Sequence, residues 1–98
     1  MPAVSLSNPF RVSYHPLVVR DDIPKLSGEW KQKIRQAIEE RLTTHPDLYG
    51  KPLRRSLKGY RKLRVGDWRI IFKIEKDSVK ILIIQHRSIV YDQINKRV

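Results

Sequence analysis

The spacing of hydrophobic positions changes once along this chain, from helical to alternating. Trp30, Ile34, Ala37, Ile38 and Leu42 recur at three- and four-residue steps with Arg41 at the margin, which gives one apolar stripe and predicts an amphipathic helix. Ser27 stands where an N-cap is needed and His45-Pro46 where the helix must stop. Farther on, Leu63 and Val65 point one way and Lys62 and Arg64 the other; Trp68, Ile70, Phe72 and Ile74 then alternate with Arg69, Ile71, Lys73 and Glu75, the two-residue period of strands. Gly66-Asp67 between these runs is a hairpin signal, since glycine tolerates the positive φ of type I′ and II′ turns. A second two-residue turn is expected at Lys76-Asp77, leading into a central apolar strand, Ser78 to His86. At the start, Phe10 to Tyr14 reads as a short strand ended by His15-Pro16. A helical turn or two is expected through Leu17 to Leu26, and a short closing helix from Ile89 to Val98. Asp47 to Gly59, with Pro52 and two glycines, reads as a surface connection.

The fold class implied is α+β, a single domain over 10–98 with N-terminal helices packed on a small antiparallel sheet, preceded by a segment, 1–9, expected to be mobile. No repeat or linker interrupts it. With 98 residues and 40% hydrophobic content, the chain closes one modest core and has no room for two domains. It has no cysteine, so packing and backbone pairing hold it, which suits a reducing cytoplasm, the expected location. No apolar run reaches the roughly 20 residues of a spanning helix, and Met1 to Asn8 lacks the pattern of a leader or anchor, so no membrane role is expected. Neither a carboxylate cluster for magnesium nor a ligand pair with zinc spacing is evident, so no metal or other cofactor is expected.

Charge changes the picture more. Lysine and arginine number 21 against 10 acidic residues, a net charge of +11. From Lys51 to Arg69 stand eight cations, Lys51, Arg54, Arg55, Lys58, Arg61, Lys62, Arg64 and Arg69, against one acid, Asp67. Clustering of this kind favours nucleic acid or an acidic protein as partner. The expected hairpin sharpens it: with Val65 and Trp68 flanking the turn, Leu63 faces Ile70 and Arg64 faces Arg69. Facing like charges destabilise a sheet, so the fold alone gives no reason to keep them. A two-residue turn at Lys76-Asp77 would put Arg69 opposite Ile84 and bring His86 onto the same face. Lys62, Arg64, Arg69 and His86 would then converge, while Leu63, Ile70, Phe72, Val79, Ile81 and Ile83 pack against the helices. Converged cations with an imidazole suit a phosphodiester site: arginine forks match phosphate oxygens, and a lysine or histidine can move protons at the attacking 2′-hydroxyl and the departing 5′-oxygen. The alternative is a solvated basic face that only binds an acidic partner.

The stretch Leu57-Lys58-Gly59-Tyr60-Arg61-Lys62-Leu63-Arg64-Val65-Gly66-Asp67-Trp68-Arg69-Ile70-Ile71-Phe72, followed by His86-Arg87-Ser88-Ile89-Val90-Tyr91, resembles the RelE/ParE toxin superfamily. The resemblance extends over nearly all of the chain beyond residue 9. It implies a RelE-like domain acting as the toxin of a type II toxin-antitoxin system. RelE-like members cleave messenger RNA in the ribosomal A site, without a metal, and so inhibit translation; ParE-like members share the fold but inhibit DNA gyrase. Carried over by position, the resemblance makes Lys62 and Arg64 contacts to the scissile phosphate, Arg69 its stabiliser, His86 and Arg87 a general acid or cationic group, and Tyr91 an aromatic that stacks on or positions a base. No glutamate stands in the strand cluster, so the base falls to Lys62 or His86. Lys51, Arg54, Arg55, Lys58 and Arg61 are expected to contact ribosomal RNA. The implied partners are a cognate acidic antitoxin, forming a hetero-oligomer, and the ribosome with its messenger.

Three functions are therefore expected in order: a ribosome-dependent endoribonuclease, a ParE-like gyrase inhibitor without nuclease activity, and a non-toxic nucleic-acid-binding module. Trp30 and Trp68 read as core residues, and His15 and His45, each before a proline, carry no expected chemistry.

Overall fold

The computed structural model describes residues 10–97; the segment 1–9, expected to be mobile, and Val98 lie outside the described residues. The strands are β1 (Arg11–Tyr14), β2 (Lys51–Pro52), β3 (Tyr60–Val65), β4 (Trp68–Glu75) and β5 (Ser78–His86), and the α-helices are α1 (Gly28–Ala37), α2 (Pro46–Tyr49) and α3 (Val90–Ile94). They form an α+β domain on one five-stranded sheet of order β1-β5-β4-β3-β2.

The helix read from the apolar stripe begins where Ser27 Oγ accepts a hydrogen bond from the Trp30 N–H at 3.3 Å, satisfying one of the free donors of the first turn. Its last turn, Ile38–Leu42, widens into a π-helical turn. That stripe buries Ile34, Ala37, Ile38 and Leu42 against Leu63, Ile70, Phe72, Val79, Ile81 and Ile84 of the sheet, the main core. Each large side chain fully buried here contributes on the order of 1.5–3 kcal/mol. Trp30 and Trp68 pack at its edge, as expected of core residues.

Both hairpin turns fall where the alternation put them: Val65 pairs with Trp68, Leu63 with Ile70, Arg64 with Arg69, and Glu75 with Ser78. Gly66 has φ +61°, and a Cβ there would come within 2.5 Å of the Trp30 ring. The turn therefore needs glycine both for its backbone and for the approach of α1.

Three features differ from expectation. The sheet is mixed, because β1 runs parallel to β5; Arg11 N–H donates to Asp77 O and His15 N–H to Ile81 O along the outer edge. The supposed surface connection holds α2 and the short edge strand β2, paired with Arg61 and Lys62 of β3. A two-residue strand containing proline shows no alternation, and proline is tolerated at a sheet edge. Finally, β5 carries an extra residue: Phe72 pairs with Ile81 but Ile71 with Ile83, so Leu82 is a bulge. One inserted residue moves every later side chain of β5 to the opposite face. Ile84 thus enters the main core in place of Ile83. Ile83 joins Ile71, Leu82, Val90 and Ile94 in a second core under α3, with Leu53, Leu57 and Tyr60 at its margin. The face expected to be a bare basic surface is partly covered.

Candidate functional site

The β3–β4 hairpin brings Arg64 and Arg69 face to face, as the turn predicted. Lys62, two residues back along β3, lies on the same side of the sheet, where α3 also packs. Its Nζ donates to the Tyr91 hydroxyl at 3.0 Å and lies 5.7 Å from the centre of that ring. Tyr91, on the first turn of α3, is 43% exposed. A second like-charge pair adjoins the first, since Lys51 of β2 faces Lys62. Among the described residues, Lys62, Arg64 and Arg69 have no carboxylate within ion-pair distance. This side of the hairpin is a strip of crowded positive charge with an exposed aromatic at its border.

Arg69, expected as a surface cation, is only 7% exposed. One guanidinium nitrogen donates to Gly66 O at 2.8 Å and to Trp68 O at 3.0 Å, so the side chain folds back over the turn. Carbonyl oxygens are dipoles, not counter-ions, and leave the charge uncancelled. Arg64 is exposed beside it.

His86 does not join this strip. Because of the bulge, Arg69 pairs with Gln85 instead of Ile84, and His86 pairs with Trp68. Its ring meets Trp68 edge-on, centroids 5.7 Å apart, on the side that Trp68 shares with Trp30. Nδ1 lies 2.9 Å from Ser88 Oγ and accepts from the Ser88 N–H at 3.2 Å, which leaves the ring proton on Nε2. Arg87 stands at the hairpin tip, its backbone N–H on Asp67 O at 2.8 Å and its Nε 3.6 Å from the Asp67 carboxylate, both side chains exposed. It is a partly neutralised neighbour of the strip.

The five cations expected to contact RNA divide as well. Lys51, Arg54, Arg55 and Lys58 are exposed around β2 and the turn Arg55–Leu57. Arg61 is half-buried, and donates to Gly50 O at 2.7 Å and Asp47 O at 3.2 Å, tying α2 and β2 to the sheet. No group of three or more residues that could hold a metal ion exists among the described residues, and no described helix is long and apolar enough to cross a membrane.

Nothing in the residue spacing pointed to Asp22. It is buried, 2% exposed, at the end of the π-helical turn Val18–Asp22, beside the part of β5 that β1 does not reach. Its carboxylate accepts from the Ile84 N–H at 2.9 Å, from Gln85 Nε2 at 2.9 Å, and from both terminal nitrogens of Arg97. Partners this far apart in sequence leave no local signal.

Helices on one face of a five-stranded mixed sheet, a short C-terminal helix on the other, and cations crowded around one hairpin define a small basic α+β domain. The family model described as the ParE toxin of the type II toxin-antitoxin system parDE matches residues 12–91. The chain belongs to this family, within the RelE/ParE superfamily of toxins. Among solved structures it is similar to a chain of the RelBE2 toxin-antitoxin complex from Mycobacterium tuberculosis, at 30% identity and TM-score 0.75, covering 83% of this chain and 94% of that one. The RelB-RelE antitoxin-toxin complex from Methanococcus jannaschii (22% identity, TM-score 0.63, covering 81% and 94%) and the YoeB-YefM complex from Staphylococcus aureus (18%, 0.55, covering 79% and 95%) share the fold. No curated protein sequence matches.

Proposed function

We propose that this toxin binds messenger RNA in the ribosomal A site and cleaves it through attack of the 2′-hydroxyl on the adjacent phosphodiester. The reading rests on one observation: Lys62 and Tyr91 meet at 3.0 Å beside the facing pair Arg64 and Arg69, with no carboxylate among the described residues within ion-pair distance of the strip. An arriving phosphate relieves a repulsion that costs the free fold a few tenths of a kcal/mol or more per facing pair. Arg64, with the Arg69 guanidinium facing it, stabilises the additional negative charge of the pentacoordinate transition state. With His86 turned to the other side of the sheet, proton delivery falls to Tyr91. The Lys62 ammonium donates to its Oη, which leaves the phenolic proton available for the departing 5′-oxygen and stabilises the phenolate that remains. The proton of the attacking 2′-hydroxyl passes to solvent. Lys51, Arg54, Arg55 and Lys58 supply salt-sensitive contacts to ribosomal RNA phosphates. The natural inhibitor is an acidic antitoxin that covers the strip in a hetero-oligomer, as the partners in the similar complexes suggest.

Expression without an antitoxin tests this. Translation should stop, and newly generated message ends should map within coding sequence on ribosomes; the cleavage should persist when chelator is added to preassembled complexes, with ribosome integrity checked separately. The family match to ParE toxins favours a second reading, inhibition of DNA gyrase without nuclease chemistry. Intact messages together with inhibited supercoiling by purified gyrase would establish it in place of the first.

A further inference from the structure

Helix α3 has five residues, lacks a side-chain cap, and buries only Val90 and Ile94 against the sheet. A helix this short is unstable by itself, so its position is set by what holds its ends. Three residues beyond its last turn, Arg97 grips the Asp22 carboxylate with both terminal nitrogens, one of which also donates to Leu82 O at 3.3 Å. The two side chains are 7% and 0% exposed. Asp22 is fixed in turn by Ile84 N–H and by Gln85, the residue that faces Arg69 across β4 and β5. The row Arg64, Arg69, Gln85 thus ends on Asp22, and Asp22 anchors the chain that leaves α3. On the near end of α3 stands Tyr91, whose hydroxyl meets Lys62.

We propose that Asp22 and Arg97 are positioning residues for Tyr91: the buried pair fixes the C-terminal end of α3 against the row that carries Arg69, and so holds the Tyr91 hydroxyl on Lys62. This rests on the role given to Tyr91 in the cleavage reaction. A fold that needed only stability has cheaper ways to fill this space, because a buried ion pair is often no better than apolar side chains of the same volume. Its bidentate geometry does something apolar packing does not, which is to fix distance and direction at once.

A double-mutant cycle on message cleavage by the full-length toxin with programmed ribosomes separates positioning from mere stability. Arg97→Ala and Tyr91→Phe are measured alone and together at saturating ribosomes, each normalised to folded protein, with ribosome binding measured in parallel. Positioning predicts that Arg97→Ala lowers turnover on the order of tenfold to a hundredfold, leaves ribosome binding unchanged, and has no further effect once Tyr91 is phenylalanine. If Arg97→Ala does not fold, Arg97→Lys, which keeps the charge but loses the fork, carries the same cycle with a smaller drop. An Arg97 effect of equal size in both backgrounds overturns the inference and leaves the reading of Tyr91 standing. Full activity of Tyr91→Phe overturns that reading, and the inference with it. A loss of the nuclear Overhauser contact between the Lys62 side chain and the Tyr91 ring in the Arg97 variant gives support independent of activity, and its retention counts against the inference.

Discussion

Two charged places in this small protein are built on opposite terms. Around Asp22, a buried carboxylate has every oxygen used, by an arginine fork, an amide and a backbone N–H. Around Arg69, a guanidinium of similar burial has carbonyl oxygens for company and another arginine across the strand. The two are linked through Gln85, so they share an environment and differ in what it has been given to neutralise. The charge of Asp22, which ties the chain beyond α3 to β5, is paired within the fold. The charge of Arg69, without a carboxylate among the described residues within ion-pair distance, is the one to which the proposed function assigns a phosphate from outside.

That contrast can be broken by substitution. Asp22→Ala should do the most damage, about 3–5 kcal/mol of unfolding free energy, because it strands a buried Arg97 and two hydrogen-bond donors; denaturant unfolding measures it, and a loss below about 1 kcal/mol would show that the pair is structurally idle. Gly66→Ala attacks the other place indirectly. Its Cβ meets Trp30 and its φ is positive, so a loss of about 1–3 kcal/mol is expected, with the hairpin that aligns Arg64 and Arg69 loosened first; hydrogen exchange along β3 and β4 reports the order. Arg69→Met keeps the volume and removes the uncancelled charge. Stability should stay within about 1 kcal/mol of the parent or rise, while growth arrest disappears. Arg64→Glu turns the facing like charges into an opposite pair, and thermal unfolding should show a gain of about 0.2–1 kcal/mol together with loss of toxicity. Retained toxicity in both arginine variants would place the site elsewhere on the molecule.

Much of this arrangement was legible in the residues. The stripe from Trp30 to Leu42, the cap at Ser27, the turn at Gly66-Asp67 and the facing of Arg64 with Arg69 are local facts, set by side-chain period and by the φ that glycine permits. The expected convergence of His86 failed for a reason equally physical. Hydrophobic residues fill Ile81 to Ile84 without a break, so no alternation shows where β5 inserts Leu82, and a single insertion decides which face His86 takes. The strand β2 was hidden by its length and its proline.

By itself the sequence determined the periods, the turns, the excess of positive charge and the family, because each is carried by neighbours in the chain or by composition. Only the tertiary structure decided which cations share a face, that Lys62 meets Tyr91, and that Asp22 finds Arg97. Those depend on contacts between residues far apart in the chain, where packing of whole elements chooses among partners that no local pattern distinguishes.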